Sequence, residues 1–169
     1  DRTGGITITA GQNNLTSVAT YLDYALFANG VDLPFQCNGS SNATAMAVPT
    51  NVTTAKFVEV FANHVFLANI VISGVKQTSR TYWYEIDSIT SILDTSYRNI
   101  SQFDGQDITG MKAYGGSLVF FKNRSIWVCN FTGDSDIPFV FSQTRSAVGC
   151  DAPYSIQEVE NGLIFHSYD

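Results

Sequence analysis

Residues 115–128 read GGSLVFFKNRSIWV, two apolar runs that each follow a tight-turn signal. The Gly115-Gly116 pair tolerates the positive φ that two-residue hairpin loops demand. Neither run approaches the roughly 20 apolar residues a membrane helix needs. The glycine pair and the Val, Ile, Phe and Trp content oppose a soluble helix. The apolar positions are continuous rather than alternating, which predicts a hairpin buried on both faces.

The same outline recurs at four places: a short strand, a two-residue turn, then a strand with a large apolar pair. The first runs 20–22, turns at Asp23-Tyr24 and returns over 25–29. The second runs 58–61, turns at Ala62-Asn63 and returns over 64–69. The third is the opening stretch, 111–114 and 117–121 around Gly115-Gly116. The fourth runs 156–159, turns at Glu160-Asn161 and returns over 162–166, its Asn-Gly supplying the turn chemistry. From Leu26 to Phe66, Val119 and Ile164 the successive offsets are about 40, 53 and 45 residues. That spacing suits one four-stranded propeller blade per repeat. In the third unit a turn at Lys122-Asn123-Arg124, a strand at 125–129, a loop at 132–136 and an outer strand at 139–142 complete the blade.

The expected fold is therefore all-β: a partial or open β-propeller of about 3.5 blades made of short antiparallel hairpins. Residues 1–169 are read as one propeller-like domain. A β-sandwich, whose strands also recur at short spacing, is the competing fold. Residues 87–98 are the one place where a helical turn is expected. Three and a half blades leave an open edge, so the chain is expected to be a fragment of a larger protein or to have that edge covered by a partner.

Composition agrees with strands. Hydrophobic residues make up 44%, aromatic residues 13% and charged residues only 14%, so much of the polar surface is Ser, Thr, Asn and Gln. Exposed helix faces would instead be rich in Glu, Lys and Arg. The net charge is −6 with 9 Lys+Arg in all, which leaves no basic stripe for duplex recognition.

Residues able to carry chemistry are sparse. His64 and His166 are read as structural, since nothing in the sequence pairs either with a nucleophile and an orienting acid. Cys37, Cys129 and Cys150 are read as reduced thiols, with a Cys129–Cys150 bridge as the alternative. The acidic loops Asp104-Gly105-Gln106-Asp107 and Asp134-Ser135-Asp136 are read as turns with solvated carboxylates rather than calcium sites. Leu93-Asp94-Thr95-Ser96 lacks the glycine of an aspartic-protease motif. Arg2, Arg80, Arg98, Arg124 and Arg145 are read as surface residues, and 101–105 has the wrong spacing for a sialidase-type Ser-x-Asp-x-Gly turn. No catalytic residue, cofactor site or metal site is expected. Asn-x-Ser/Thr occurs seven times, at Asn14, Asn38, Asn42, Asn51, Asn99, Asn123 and Asn130. These would be glycan acceptors in a secreted protein; a Ser/Thr/Asn-rich β surface also generates them freely.

One resemblance joins these fragments. Asp107-Ile108-Thr109-Gly110, then the 116–122 run ending in Lys122, then Arg124-Ser125-Ile126-Trp127, then Val148-Gly149-Cys150-Asp151-Ala152-Pro153-Tyr154-Ser155-Ile156 and the terminal GLIF, resemble tail-nozzle propeller proteins of short-tailed bacteriophages. These are also described as tail tubular or head-completion proteins. The likeness covers about residues 105–169, and residues 26–30 look like an earlier blade of the same kind. It implies a structural virion protein of the tail or neck, not an enzyme. Such a protein would be a homo-oligomeric ring that meets other tail or adaptor proteins, with genomic DNA passing through unbound and no membrane segment. An acidic lining would repel phosphate and let DNA slide, and Asp104, Asp107, Asp134 and Asp136 are the expected lining. The alternatives are a secreted or viral β-rich glycoprotein domain that binds a receptor, and a propeller glycosidase of the sialidase kind.

Overall fold

The computed structural model describes residues 4–9, 11, 14–145 and 147–167; Asp1, Arg2 and Asp169 lie outside them. Three four-stranded antiparallel sheets follow one another along the chain, and a two-stranded hairpin closes the series. Sheet 1 contains β1 (Ser17–Tyr21), β2 (Tyr24–Ala28), β3 (Phe35–Cys37) and β4 (Thr44–Ala45). Sheet 2 contains β5 (Val52–Phe61), β6 (His64–Ile72), β7 (Val75–Trp83) and β8 (Tyr97–Asn99). Sheet 3 contains β9 (Ile108–Tyr114), β10 (Ser117–Lys122), β11 (Ile126–Phe131) and β12 (Phe139–Gln143). The last hairpin is β13 (Gln157–Val159) with β14 (Gly162–Ile164), after a 3-10 turn at Pro153–Ser155.

The chain is thus all-β, four small antiparallel sheets of hairpins consistent with a partial or open propeller-like arrangement. Every sheet is a meander whose spatial order follows the sequence, whereas a sandwich would show Greek-key crossovers.

Hairpin geometry explains the repeat. The loops Leu22-Asp23, Ala62-Asn63 and Gly115-Gly116 each place both residues at positive φ, the type I′ form whose twist matches that of the strands. The first turn therefore sits one residue earlier than Asp23-Tyr24. Tyr24 is the first residue of β2 and pairs with Tyr21. A fourth loop of this form, Ser73-Gly74, joins β6 to β7. The Glu160-Asn161 turn joins Val159 to Gly162 without a positive φ; its Asn-Gly signal has the right place but not the expected backbone.

The helical turn expected at 87–98 does not form. The Ser88 hydroxyl accepts the N–H groups of Thr90 and Ser91 at 3.2 and 2.9 Å, giving the backbone a non-helical alternative. The segment then enters β8, where Tyr97 pairs with Tyr82.

Packing groups the chain into two compact units, one up to Asn99 and one from Ile100. In the first, Ala19, Leu26 and Ala28 of sheet 1 and Met46 just after β4 pack with Val58, Val65, Leu67 and Ile70 of sheet 2. Ser17 at the start of β1 bonds both the N–H and the carbonyl of Val58 on β5, each at 3.1 Å. The Tyr84 hydroxyl, deep in this core, donates to the Ala47 carbonyl. On the far face of β6, Phe66 is fully buried beside Phe61 and Trp83.

In the second unit, sheet 3 packs Val119, Phe121 and Ile126 against Cys150, Ile156, Leu163 and Phe165. The Phe121 and Phe165 rings stand 5.0 Å apart. Two glycines permit this approach. A Cβ at Gly110 would meet the Ile156 Cδ1 at 2.5 Å, and one at Gly149 would meet the Lys122 carbonyl oxygen at 2.2 Å. Gly149 faces backbone, which cannot step aside, and the next N–H, that of Cys150, donates to the same carbonyl at 2.9 Å.

Gly149→Ala should therefore destabilise the second unit by about 3 kcal/mol, the upper range for overpacking. Gly162→Ala, with nothing within 4 Å of the added Cβ, should stay within about 0.5 kcal/mol. Urea unfolding of both variants checks the contrast.

Candidate functional site

The most unusual polar constellation belongs to Lys122, the last residue of β10. Its side chain is 0% exposed. The ammonium donates to the Ile100 carbonyl at 2.7 Å, the Ser101 carbonyl at 3.3 Å, and both Asp104 carboxylate oxygens at 2.7 and 2.8 Å. A buried ammonium needs this full set of acceptors, because desolvation would otherwise cost several kcal/mol.

These contacts fix the 100–107 loop. Ser101 and Gly105 adopt positive φ, and the Asp104 N–H donates to the Ser101 carbonyl at 3.2 Å. The loop is also tied to the β10–β11 turn. The Asp107 N–H donates to Asn123 Oδ1, and Gln106 Oε1 accepts the Arg124 N–H, both at 2.9 Å. At the loop's tip Phe103 is 97% exposed.

A second feature lies on sheet 1, on the face turned away from sheet 2. Val18, Phe27 and Phe35 form one cross-strand row. The two Phe rings stack at 4.7 Å and 9°. With Ile6, Ile8 and Cys37 they line an open groove of about 450 Å³ that carries no charged side chain. Asp32 secures its wall by accepting the Thr9 N–H and hydroxyl at 2.7 and 2.6 Å.

The residues singled out in the sequence are placed differently. Asp104 lies exposed in its turn, as expected, and is in addition the counter-charge of Lys122. Asp134 accepts the N–H groups of Ile137 and Asp136, which hold its carboxyl below the usual carboxylate range. Asp107 and Asp136 are exposed as well, so all four members of the acidic set reach solvent. Asp94 accepts the Thr50 N–H at 2.6 Å. His64 is buried, its Nδ1 2.6 Å from the Tyr84 carbonyl. His166 donates its backbone N–H to the Ser155 hydroxyl.

Arg80 lies over the Tyr97 ring at 4.2 Å and donates to Asn99. Arg98 neighbours Thr95, Tyr97 and Asn99 in a shallow depression. Arg2 is outside the described residues. Among the sequon asparagines, Asn123 donates to Asp151 and Asn130 accepts the Ser117 hydroxyl. Among the described residues no three His, Cys, Asp or Glu side chains gather to hold a metal, and no helix is long and apolar enough to cross a membrane.

All three cysteines are free, so the Cys129–Cys150 alternative is not formed. Burial pushes the Cys129 thiol up to about 12 and raises Cys150 as well.

Lys122 escaped the sequence reading because a lysine ending an apolar run looks like the first turn residue. The available signal was Asp104, eighteen residues upstream, but sequence carries no distance between them.

Three outcomes follow. Asp104→Asn leaves an ammonium buried without its counter-charge and should cost about 3 kcal/mol, more than Lys122→Met, which removes the charge itself. Chemical denaturation gives the order, and the reverse order defeats the assignment. In native protein, iodoacetamide should label Cys37 alone. As the raised Cys129 value favours the neutral thiol, its contribution to stability should be intact below about pH 9 and lost as pH climbs toward 12.

No family model and no curated protein matches this chain.

Proposed function

We propose that the chain is a structural component of a phage tail or neck, one propeller-like part of a ring protein around the DNA exit channel. The observation that carries the reading is where the resembling motifs fall. Ile108-Thr109-Gly110 opens β9, residues 117–122 are β10, and Ile126-Trp127 opens β11. Gly149, Cys150 and Ile156 make the close contacts that dock the last half-blade on sheet 3. The likeness thus resides in residues that the blade packing requires and extends across one whole blade and the next half.

Charge supports the same reading. A chain of net charge −6 gains nothing from binding DNA and offers a passing duplex a repelling wall. Asp107, Asp134 and Asp136 are the exposed lining candidates that remain once the Asp104 charge is paired with Lys122.

Immunogold labelling of purified virions with antibody against the chain should mark the tail vertex; absence of label from virions overturns the proposal. In particles assembled with Asp107→Asn and Asp136→Asn together, genome ejection should slow several-fold at low ionic strength and less at high salt. Unchanged kinetics would remove these two residues from the channel wall.

A further inference from the structure

We propose that Asn38-Gly39 is a self-modifying site, at which the Gly39 nitrogen closes on the Asn38 side-chain amide and converts the asparagine to aspartate and isoaspartate. The proposal is independent of the ring reading.

The step balances with water as its only co-reactant. The Gly39 nitrogen forms a bond to Asn38 Cγ and gives its proton to solvent. Negative charge collects on Oδ1 in the tetrahedral intermediate. The Cγ–Nδ2 bond then breaks, Nδ2 takes up a proton, and ammonia leaves behind a cyclic imide. Water opens that ring at either carbonyl, giving aspartate at one and isoaspartate at the other. Nothing is oxidised or reduced. The barrier is set by how freely the nitrogen reaches Cγ and by how well the charge on Oδ1 is met.

The bend after β3 serves both needs. Asn38 Oδ1 accepts the N–H groups of Ser40 and Ser41 at 3.1 and 3.0 Å and their hydroxyls at 3.1 and 2.8 Å. Four donors thus converge on the oxygen where charge develops, which is the arrangement of an oxyanion hole. They also hold the amide in one orientation, so less freedom is lost when the ring closes. Gly39 is exposed at φ +75°, with nothing within 4 Å of an added Cβ, so the ring has room to form.

Asn-Gly occurs three times in the chain, and the other two pairs lack one need or the other. Asn29 Oδ1 accepts the N–H groups of Val31 and Asp32 at 3.0 and 2.9 Å, the same backbone pattern. Yet the Gly30 N–H donates to the Ala55 carbonyl at 2.8 Å, and Asn29 Nδ2 donates to the Asp32 carboxylate at 2.8 Å. Nucleophile and leaving group are both held, in a residue only 4% exposed. Asn161 is exposed in the β13–β14 turn with space around Gly162, but among the described residues no donor meets its Oδ1. Asn38 alone combines an open nitrogen with a prepared oxygen. Its conversion would add one negative charge, and as isoaspartate one backbone methylene, to the segment between β3 and β4.

Full-chain protein made in bacteria, kept folded in mildly alkaline buffer and digested at intervals, reports all three sites by peptide mass spectrometry. Asn38 should convert at least about tenfold faster than Asn161, and Asn29 should stay intact. In urea, where only the shared Asn-Gly sequence acts, the three rates should converge. An Asn38 no faster than Asn161 in the folded chain, or equally favoured in urea, overturns the proposal. Isoaspartate should accompany aspartate at position 38; aspartate alone would mean direct hydrolysis and defeats the ring step. Ser40→Ala with Ser41→Ala removes two of the four donors at exposed positions and should slow Asn38 several-fold while leaving Asn161 as the internal reference. An unchanged or faster Asn38 rate in that variant defeats the oxyanion arrangement.

Discussion

Everything in this fold depends on small sheets covering one another. A sheet of four short strands cannot bury enough apolar surface to stand alone. Its central strand, apolar on both faces, needs a layer on each side. β6 and β10 are those strands: Val65, Phe66, Leu67, Leu118, Phe120 and Phe121 are all almost completely buried. Sheet 1 against sheet 2, and the last half-blade against sheet 3, meet this need within each unit. The need also explains why glycine stands where layers touch backbone to backbone, at Gly149, and backbone to side chain, at Gly110.

The same constraint identifies what is out of place. Sheet 1 presents a half-covered row of Val18, Phe27 and Phe35 on its outer face, where the repeat elsewhere lays another layer. Phe103 is exposed in a protein that otherwise buries or half-buries most of its phenylalanines. Beside Phe103 in the chain, the Lys122–Asp104 pair contributes shape more than stability. It defines the loop that displays Phe103.

The hairpins were legible in the sequence because the signals are local. Gly115-Gly116 and Ala62-Asn63 adopt the positive φ expected of two-residue loops, and the two apolar runs of 115–128 fall on β10, which is buried, and on β11, whose first residues are half-buried. Where local signals were weak, placement slipped. Leu22-Asp23 has no glycine to mark its start, so the turn was read one residue late. Residues 87–98 have no side-chain period strong enough to announce the Ser88 turn that replaces a helix.

By itself the sequence determined the class, the hairpin series and the meander order, since each follows from φ preference, strand propensity and spacing within about 50 residues. Only the tertiary structure decided that Lys122 is buried on Asp104, that Asp94 and Asp134 bond backbone, and that Ile6, Ile8 and Cys37 share a groove with Val18 and Phe27. The reason is physical. A charged side chain at the end of a strand reads the same whether it meets water or a counter-ion, and only the packing of distant segments determines which it meets.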